Sequence, residues 1–301
     1  MCTYVLTDYI GTVPVDLPIT FRRGPHVQAL LDGQVTSERL NLQFVPVEPI
    51  SRAFRRAIRD EEFAVTEMAL VTLAMAVDAG HPWIGLPIVL LRGFHHGALR
   101  TPNTSPIRGP RDMAGRKAGV RAYSQTTGVW VRGILETEYG VSPDQITWLT
   151  TEDAHVADFS DPSNVIRAAS GATLNSLLSS GEIEAVIGDG GTSFPETRSV
   201  IPDPEKAALD WYGRTGVYPV NHVIAFRKEL LRQEPRLANE LQRMFQLSRD
   251  LWLANAPVPP PNDSPYGRAA HEKSINLGLR FAFAQGLTRK LFRYDDLFAN
   301  C

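Results

Sequence analysis

The stretch RDMAGRKAGVRAYSQTTGVWVRGILETEYGV, residues 111–141, holds residue types arranged for ligand chemistry. Its pattern predicts a short helix, a buried strand over Lys117–Ala122, a polar turn, and a helix over Thr127–Tyr139 that stops at Gly140. The turn, Tyr123-Ser124-Gln125-Thr126-Thr127, puts hydroxyls where the helix leaves its first N–H groups without partners. A strand that hands Ser and Thr to a helix N-terminus makes a site for a carboxylate or phosphate. The same residues would equally serve as an ordinary helix cap, so the functional reading depends on a second half-site elsewhere.

Two segments offer one. Residues 177–188 read as a helix capped by Gly181 and then a buried strand, and residues 54–67 repeat that logic. In the latter, Phe54, Ala57 and Ile58 share a helix face, an acidic break follows, and a strand ends in Thr66-Glu67. The other strand ends at Asp189. Open α/β sheets bind ligands beyond the carboxyl ends of their strands, and two such edges facing each other would enclose an interdomain cleft.

The elements that must position these residues alternate. Strands are expected at Tyr4–Thr7, Leu40–Val47, Phe63–Glu67, Ile84–Leu91, Gly97–Thr101, Lys117–Ala122, Ile146–Leu149, Ala185–Gly188 and His222–Phe226. Helices are expected at Pro49–Arg59, Met68–Ala79, Thr127–Tyr139, Thr173–Ser180, Pro204–Thr215, Pro235–Leu253 and His271–Gln285, with a proline-rich loop over Ala254–Pro265. This is an α/β pattern with mostly parallel sheets. At 301 residues, 43% of them hydrophobic, the chain can form one large or two medium domains. A net charge of −2 argues against nucleic acid or an anionic membrane as partner. Cys2 and Cys301, the only cysteines, sit at the two ends and do not suggest a disulfide or zinc site. The N-terminal residues do not read as a secretory signal, and no apolar run is long enough to cross a membrane, so a cytoplasmic location is expected.

Four blocks resemble the 4,5-dihydroxyphthalate decarboxylase family: EEFAVTEMAL (61–70), VWVRGILETEYGVSPDQITW (129–148), YPVNHVIAFRKELL (218–231) and AQGLTRKLFRYDDLF (284–298). The resemblance implies a two-lobed, type II periplasmic-binding-protein-like α/β fold. Each lobe would be a mostly parallel sheet flanked by helices, with the ligand cleft between lobes. Lobe 1 would take residues 1–98 plus 218–301, and lobe 2 residues 99–217, with the anion-binding helix N-terminus at 124–127. The implied activity is cofactor-free, non-oxidative decarboxylation of a hydroxylated aromatic acid. Departures from the family pattern fall where substrate charge would be met. Asp8-Tyr9 is followed by Ile10-Gly11, Phe21-Arg22-Arg23 is inserted, His95-His96 replaces an Arg-His pair, and His271 stands at an Asn position.

Decarboxylation without a cofactor requires that the carboxylate be held, a ring carbon be protonated, and a phenol push electron density into the ring. The candidate acids are His95 and His96, Glu67 and His222, with Glu67 orienting the histidine or the phenol. If residues 95 and 96 are extended, only one faces the cleft; His96 matches the family's histidine, leaving His95 outside or at the hinge. Ser124, Thr126 and Thr127 would hold the carboxylate, and Arg22, Arg23 or Arg121 would add a charge contact, with Thr66 beside Glu67. Arg132 reads as a substrate partner or a solvated helix residue, and Trp130 as core or aromatic wall. Glu67, His96 and His222 have the chemistry to bind a divalent metal, but no HxxxH or CxxC spacing supports it, and none is expected. Neither a dinucleotide-binding glycine motif nor a G-x-S-x-G elbow is present. The expected partner is a small aromatic carboxylate, with homo-oligomerisation conceivable through the proline-rich loop and C-terminal helices. The rival reading is a solute-binding protein that captures an organic anion without chemistry.

Overall fold

The computed structural model describes residues 14–188, 193–256 and 265–299. The strand expected at Tyr4–Thr7, the Asp8-Tyr9 pair, both cysteines, Asp189 and most of the proline-rich loop lie outside the described residues.

The chain starts with β1 (Val15–Thr20), α1 (Gln28–Leu31), β2 (Leu40–Phe44), α2 (Ser51–Arg59), β3 (Val65–Ala69), α3 (Leu70–Asp78) and β4 (Trp83–Arg92). It crosses to β5 (Leu99–Pro102), β6 (Lys117–Val120), α4 (Thr126–Tyr139), β7 (Thr147–Thr150), β8 (Val165–Arg167), α5 (Leu174–Ser179), β9 (Ala185–Ile187), β10 (Thr197–Ser199) and α6 (Pro204–Thr215). It returns through β11 (Val220–Arg227) and ends in α7 (Leu230–Gln233), α8 (Leu237–Asn255), α9 (Arg268–Ala284) and α10 (Tyr294–Leu297).

These strands form two sheets, ordered β2-β1-β3-β11-β4 and β10-β5-β9-β6-β7-β8. Each has a parallel core, β2-β1-β3 in one and β9-β6-β7-β8 in the other. The antiparallel strands flank the two crossings between lobes: β11 pairs with β3 and β4, and β5 with β9 and β10. The crossings are tied together where the Gly93 amide donates to the Pro219 carbonyl at 3.0 Å.

Three strands escape sequence reading. β1 contains Pro18, which lacks a ladder donor and demotes a strand assignment, while β8 and β10 are only three residues each. β3 also runs on to Ala69 rather than stopping at Glu67, which places Glu67 in mid-strand, fully buried.

Helix α4 is buried on all sides over residues 128–135, because it lies between its own sheet and α9. Gly133 makes that contact possible, since a Cβ there would stand 2.2 Å from the Phe281 ring. Trp130 is core: its indole N–H donates to the Val220 carbonyl at 3.0 Å. Arg132 is neither solvated nor at the ligand. It is fully buried, with Nε donating to Gln285 Oε1 at 2.6 Å, Nη2 to the Tyr123 carbonyl at 2.5 Å, and its guanidinium over the Tyr123 ring. Among the described residues no helix is long and apolar enough to cross a membrane.

Candidate active site in the interlobe cleft

A cleft of about 600 Å³ lies between the lobes. Three helices begin at its wall: α2 through Ile50 and Ser51, α3 through Ala69 and Thr72, and α4 through Ser124, Gln125, Thr126 and Thr127. None of the three has an acidic residue in its first turn, so each presents about half a positive charge there. The guanidinium-bearing residues Arg22 and Arg121 also line the cleft. Such a wall favours an anion.

At the lobe 1 side stands a charge pair that three strands assemble. Glu67 on β3 opposes Ile224 on antiparallel β11, so His222 is its diagonal neighbour on the same face. Glu67 Oε1 lies 2.6 Å from His222 Nδ1. Arg22, just beyond β1, donates its Nε to Glu67 Oε1 at 2.7 Å and its backbone N–H to Oε2 at 2.8 Å. Arg22 Nη2 is also 2.9 Å from His222 Nδ1, but one nitrogen cannot both donate to Glu67 and accept from Arg22. Burial pushes the Glu67 carboxyl up, yet the His222 and Arg22 contacts outweigh it and hold it below the usual carboxylate range. Glu67 is therefore ionised, the proton resides on Nδ1, and Arg22 contributes charge rather than a bond to the ring. His222 Nε2 makes no hydrogen bond among the described residues, and His222 lines the cleft. Burial lowers the pKa of His222 despite the opposing pull of Glu67, so its ring is neutral at neutral pH.

The expected residues divide between the cleft and its surroundings. Ser124, Thr126, Thr127, Arg121, Arg22 and His222 line it, with Glu67 directly behind. Thr126 Oγ1 accepts the Val71 N–H at 3.4 Å, joining the starts of α3 and α4. Arg121 pairs with the exposed Glu152 at 2.8 Å. Thr66 lies in the core, donating to the Glu67 carbonyl at 2.7 Å. Arg23 points the other way from Arg22, over the Phe44 ring and into a separate surface hollow, as neighbours on an extended backbone do.

Neither of the two hinge histidines lines the cleft. Residues 95–98 form a turn, closed by the Ala98 N–H on the His95 carbonyl, rather than an extended run. His95 is buried and does not itself line the cleft; its Nε2 lies 2.7 Å from the Oδ1 of cleft-lining Asn221, whose Nδ2 in turn donates to Thr127 Oγ1 at 3.3 Å. His96 does not line the cleft. It is buried edge-on against Trp211, with neither ring nitrogen hydrogen-bonded among the described residues. Burial, and then Arg214, pushes its pKa down to about 4. The metal set Glu67, His96 and His222 is thus not assembled, because His96 packs away from the other two. Among the described residues no group of three or more His, Cys, Asp or Glu is placed to hold a metal.

Sequence reading missed Asn221, Thr72 and His155, all cleft-lining. His155, in the loop after β7, reaches across to Thr72 on α3 through a 2.8 Å contact of Nδ1 and Oγ1. Its ring meets Phe54 edge-on, and burial, then Arg121, pushes its pKa down to about 3. Arg55 and Arg59 on α2 clasp the same loop, donating to the carbonyls of Asp153, Ala154 and His155. A lone histidine in a polar loop carries no spacing signal; Thr72 and Asn221 look like ordinary helix and strand positions.

No protein-family model matches the chain. Among solved structures, the alkanesulfonate-binding protein SsuA from Xanthomonas axonopodis pv. citri is similar with a TM-score of 0.56 at 13% identity, over 96% of this chain and 100% of that one. SsuA from Escherichia coli gives 0.55 at 13% identity, over 95% and 97%. The desulfurization enzyme DSZB gives 0.53 at 15% identity, over 94% and 96%. These likenesses establish the two-lobed type II periplasmic-binding-protein-like fold, which hosts binding proteins and an enzyme alike. In sequence, the chain is 30% identical to 4,5-dihydroxyphthalate decarboxylase from Comamonas testosteroni over 258 residues, 79% of this chain and 76% of that protein. It is also 30% identical to the protein of the same name from Pseudomonas putida over 211 residues, 66% of this chain and 81% of that protein. The chain belongs to the 4,5-dihydroxyphthalate decarboxylase family.

Proposed function

We propose that the protein is a carboxy-lyase that removes CO2 from a hydroxylated aromatic acid bound in the interlobe cleft, with His222 moving the proton. The observation that carries this reading is the Glu67–His222 pair, which fixes Nδ1 and leaves Nε2 to the cleft. The two relatives' shared name supports the reaction class.

The substrate carboxylate is held by Ser124, Thr127, the first N–H groups of α4 and Arg121. Neutral His222 takes the phenolic proton on Nε2, and ionised Glu67 stabilises the imidazolium that forms. The imidazolium gives that proton to the ring carbon bearing the carboxylate. The C–C bond then breaks, its electron pair restores the aromatic ring, CO2 leaves, and the product phenolate takes a proton from water. His95 and Asn221 keep Thr127 in place.

The test is CO2 release with mass-spectrometric product analysis, using hydroxylated benzoates and phthalates with wild type and His222→Asn. Release from at least one acid, cut by about 100-fold or more in the variant, is the expected result. Tight binding without CO2 from any acid would overturn the reading in favour of anion capture.

A further inference from the structure

The Glu67–His222 pair accounts for the phenolic proton but not for the charge left on the ring oxygen. Once His222 hands its proton to the ring carbon, its imidazolium no longer balances that oxygen. As the C–C bond breaks, its electron pair enters the ring and a C=O π pair returns to the oxygen. A donor aimed there gains most in the transition state.

Lobe 2 brings such a donor. His155 is half-buried and lines the cleft, and its ring meets the Phe54 ring at 5.6 Å and 79°. His222 meets the same Phe54 ring at 5.0 Å and 89°, so two imidazoles, one from each lobe, stand on one aromatic side chain. Thr72 fixes the His155 tautomer. Its Oγ1 lies 2.8 Å from Nδ1, the residue is 3% exposed, and the hydroxyl has no other partner among the described residues. The hydroxyls of Thr137 and Thr215 turn back onto the carbonyl one helical turn earlier, but that of Thr72 does not. Its O–H therefore goes to Nδ1, which leaves the ring proton on Nε2. Nε2 makes no hydrogen bond among the described residues and is not enclosed. Burial, then Arg121, keeps the ring neutral. This tautomer is the reverse of His222, whose Nδ1–H faces Glu67. One imidazole offers the cleft an acceptor, the other a donor.

Resting on the decarboxylase reading, we propose that His155 is a second catalytic residue, whose Nε2–H donates to the ring oxygen that His222 deprotonates. It moves no proton itself. It stabilises the charge that gathers on that oxygen, first as the phenol ionises and again as CO2 leaves. A neutral imidazole N–H can do this without a charge of its own. The arginine clasps of α2 hold the backbone of this loop, whereas Thr72 orients the ring, so the donor is in place when the lobes meet.

The experiment compares wild type, His155→Phe and His155→Gln. Phenylalanine keeps a ring against Phe54 and removes the donor, and glutamine restores a neutral N–H near the Nε2 position. Two quantities are read: kcat for CO2 release from the hydroxylated acid that wild type turns over, and the titration of bound 4-hydroxy-3-nitrobenzoate, a coloured phenol. In His155→Phe the bound phenol should titrate about one pH unit higher than in wild type. Its kcat should fall by about 100-fold, and glutamine should recover about tenfold or more of that loss together with the lower titration. A bound titration that is the same in all three proteins overturns the His155 assignment alone. A kcat that glutamine leaves at the phenylalanine level does so too. Wild type that releases no CO2 from any acid overturns the decarboxylase reading, and the catalytic role of His155 with it.

Discussion

Glu67 and His222 stand 155 positions apart in sequence, yet Oε1 and Nδ1 are 2.6 Å apart. The antiparallel register of β3 and β11 creates this pair, with Glu67 opposite Ile224 and His222 one step along the same face. Since β3 belongs to the outbound chain and β11 to the return crossing, the pair forms only when the fold closes on itself. Arg22 of the same lobe stands beside the pair, and Asn221, next to His222 on β11, reaches the other lobe by donating to Thr127 Oγ1 at 3.3 Å.

Replacing Glu67 by Gln tests what that carboxylate does. The Glu67 hydrogen bond and charge raise the pKa of His222 against burial. Without them the pKa falls further, so the acidic limb of kcat/KM moves to lower pH. Turnover drops because the imidazolium loses its counter-charge, by about 100-fold. A pH–rate profile of CO2 release checks both effects. A limb that stays in place while the rate falls would mean that the loss arises from distortion rather than charge.

His96→Phe is expected to behave as a packing change. The imidazole sits against Trp211 with both nitrogens unbonded, and its pKa is pushed down to about 4 from an unfolded value of 6.5. The sign follows from linkage. Above pH 6.5 both states are neutral and His96 adds no pH-dependent cost. As pH falls from 6.5 towards 4 the unfolded chain binds a proton that the folded one does not, and stability is lost. Phenylalanine removes that penalty, on the order of 1 kcal/mol for each pH unit in this window. Urea unfolding at pH 7 and pH 5 should show the variant's stability relative to wild type rising at the lower pH, with CO2 release within about threefold of wild type.

What the residues disclose and what they hide divide along physical lines. Local signals were legible: the 123–127 turn does open a helix at the cleft, and Gly140 ends that helix in a left-handed conformation with φ of 71°. Family-bearing blocks also led to Glu67 and His222. Orientation within irregular backbone was not legible. An extended run through residues 95 and 96 would turn one of the two rings to the cleft, but the backbone turns there and both rings are buried away from it. Contacts from opposite lobes were equally invisible. Nothing in the string places His155 beside Thr72, or gives the buried Arg132 a glutamine from the C-terminal end of α9.

The Arg59 clasp should govern closure rather than chemistry. Its guanidinium donates to the Ala154 and His155 carbonyls at 2.7 and 2.9 Å from the opposite lobe. Arg59→Ala removes a cross-lobe tether that touches no residue of the proton pathway. The expected result is a KM raised by about threefold to tenfold with kcat little changed, measured by steady-state CO2 release. An equal fall in kcat and kcat/KM would place Arg59 in transition-state stabilisation instead.

Gly133→Ala tests whether the α4–α9 contact holds the anion-facing helix start in position. In an exposed helix alanine would stabilise by about 1 kcal/mol over glycine. Here its Cβ would overlap the Phe281 ring, which is 4% exposed and packed edge-on against Trp130. Relief requires a shift of Phe281 or of α4, and overpacking of this kind costs about 1–3 kcal/mol, so the net effect is destabilising. A second change separates packing from backbone effects. Phe281→Leu opens the space, and the double variant should recover stability relative to Gly133→Ala alone in urea unfolding. Because α4 carries Ser124–Thr127 at its start, the single variant should also bind the substrate carboxylate more weakly, and the double variant should regain that affinity. A destabilised Gly133→Ala protein with wild-type affinity would show that the helix start is fixed by its own sheet, not by α9.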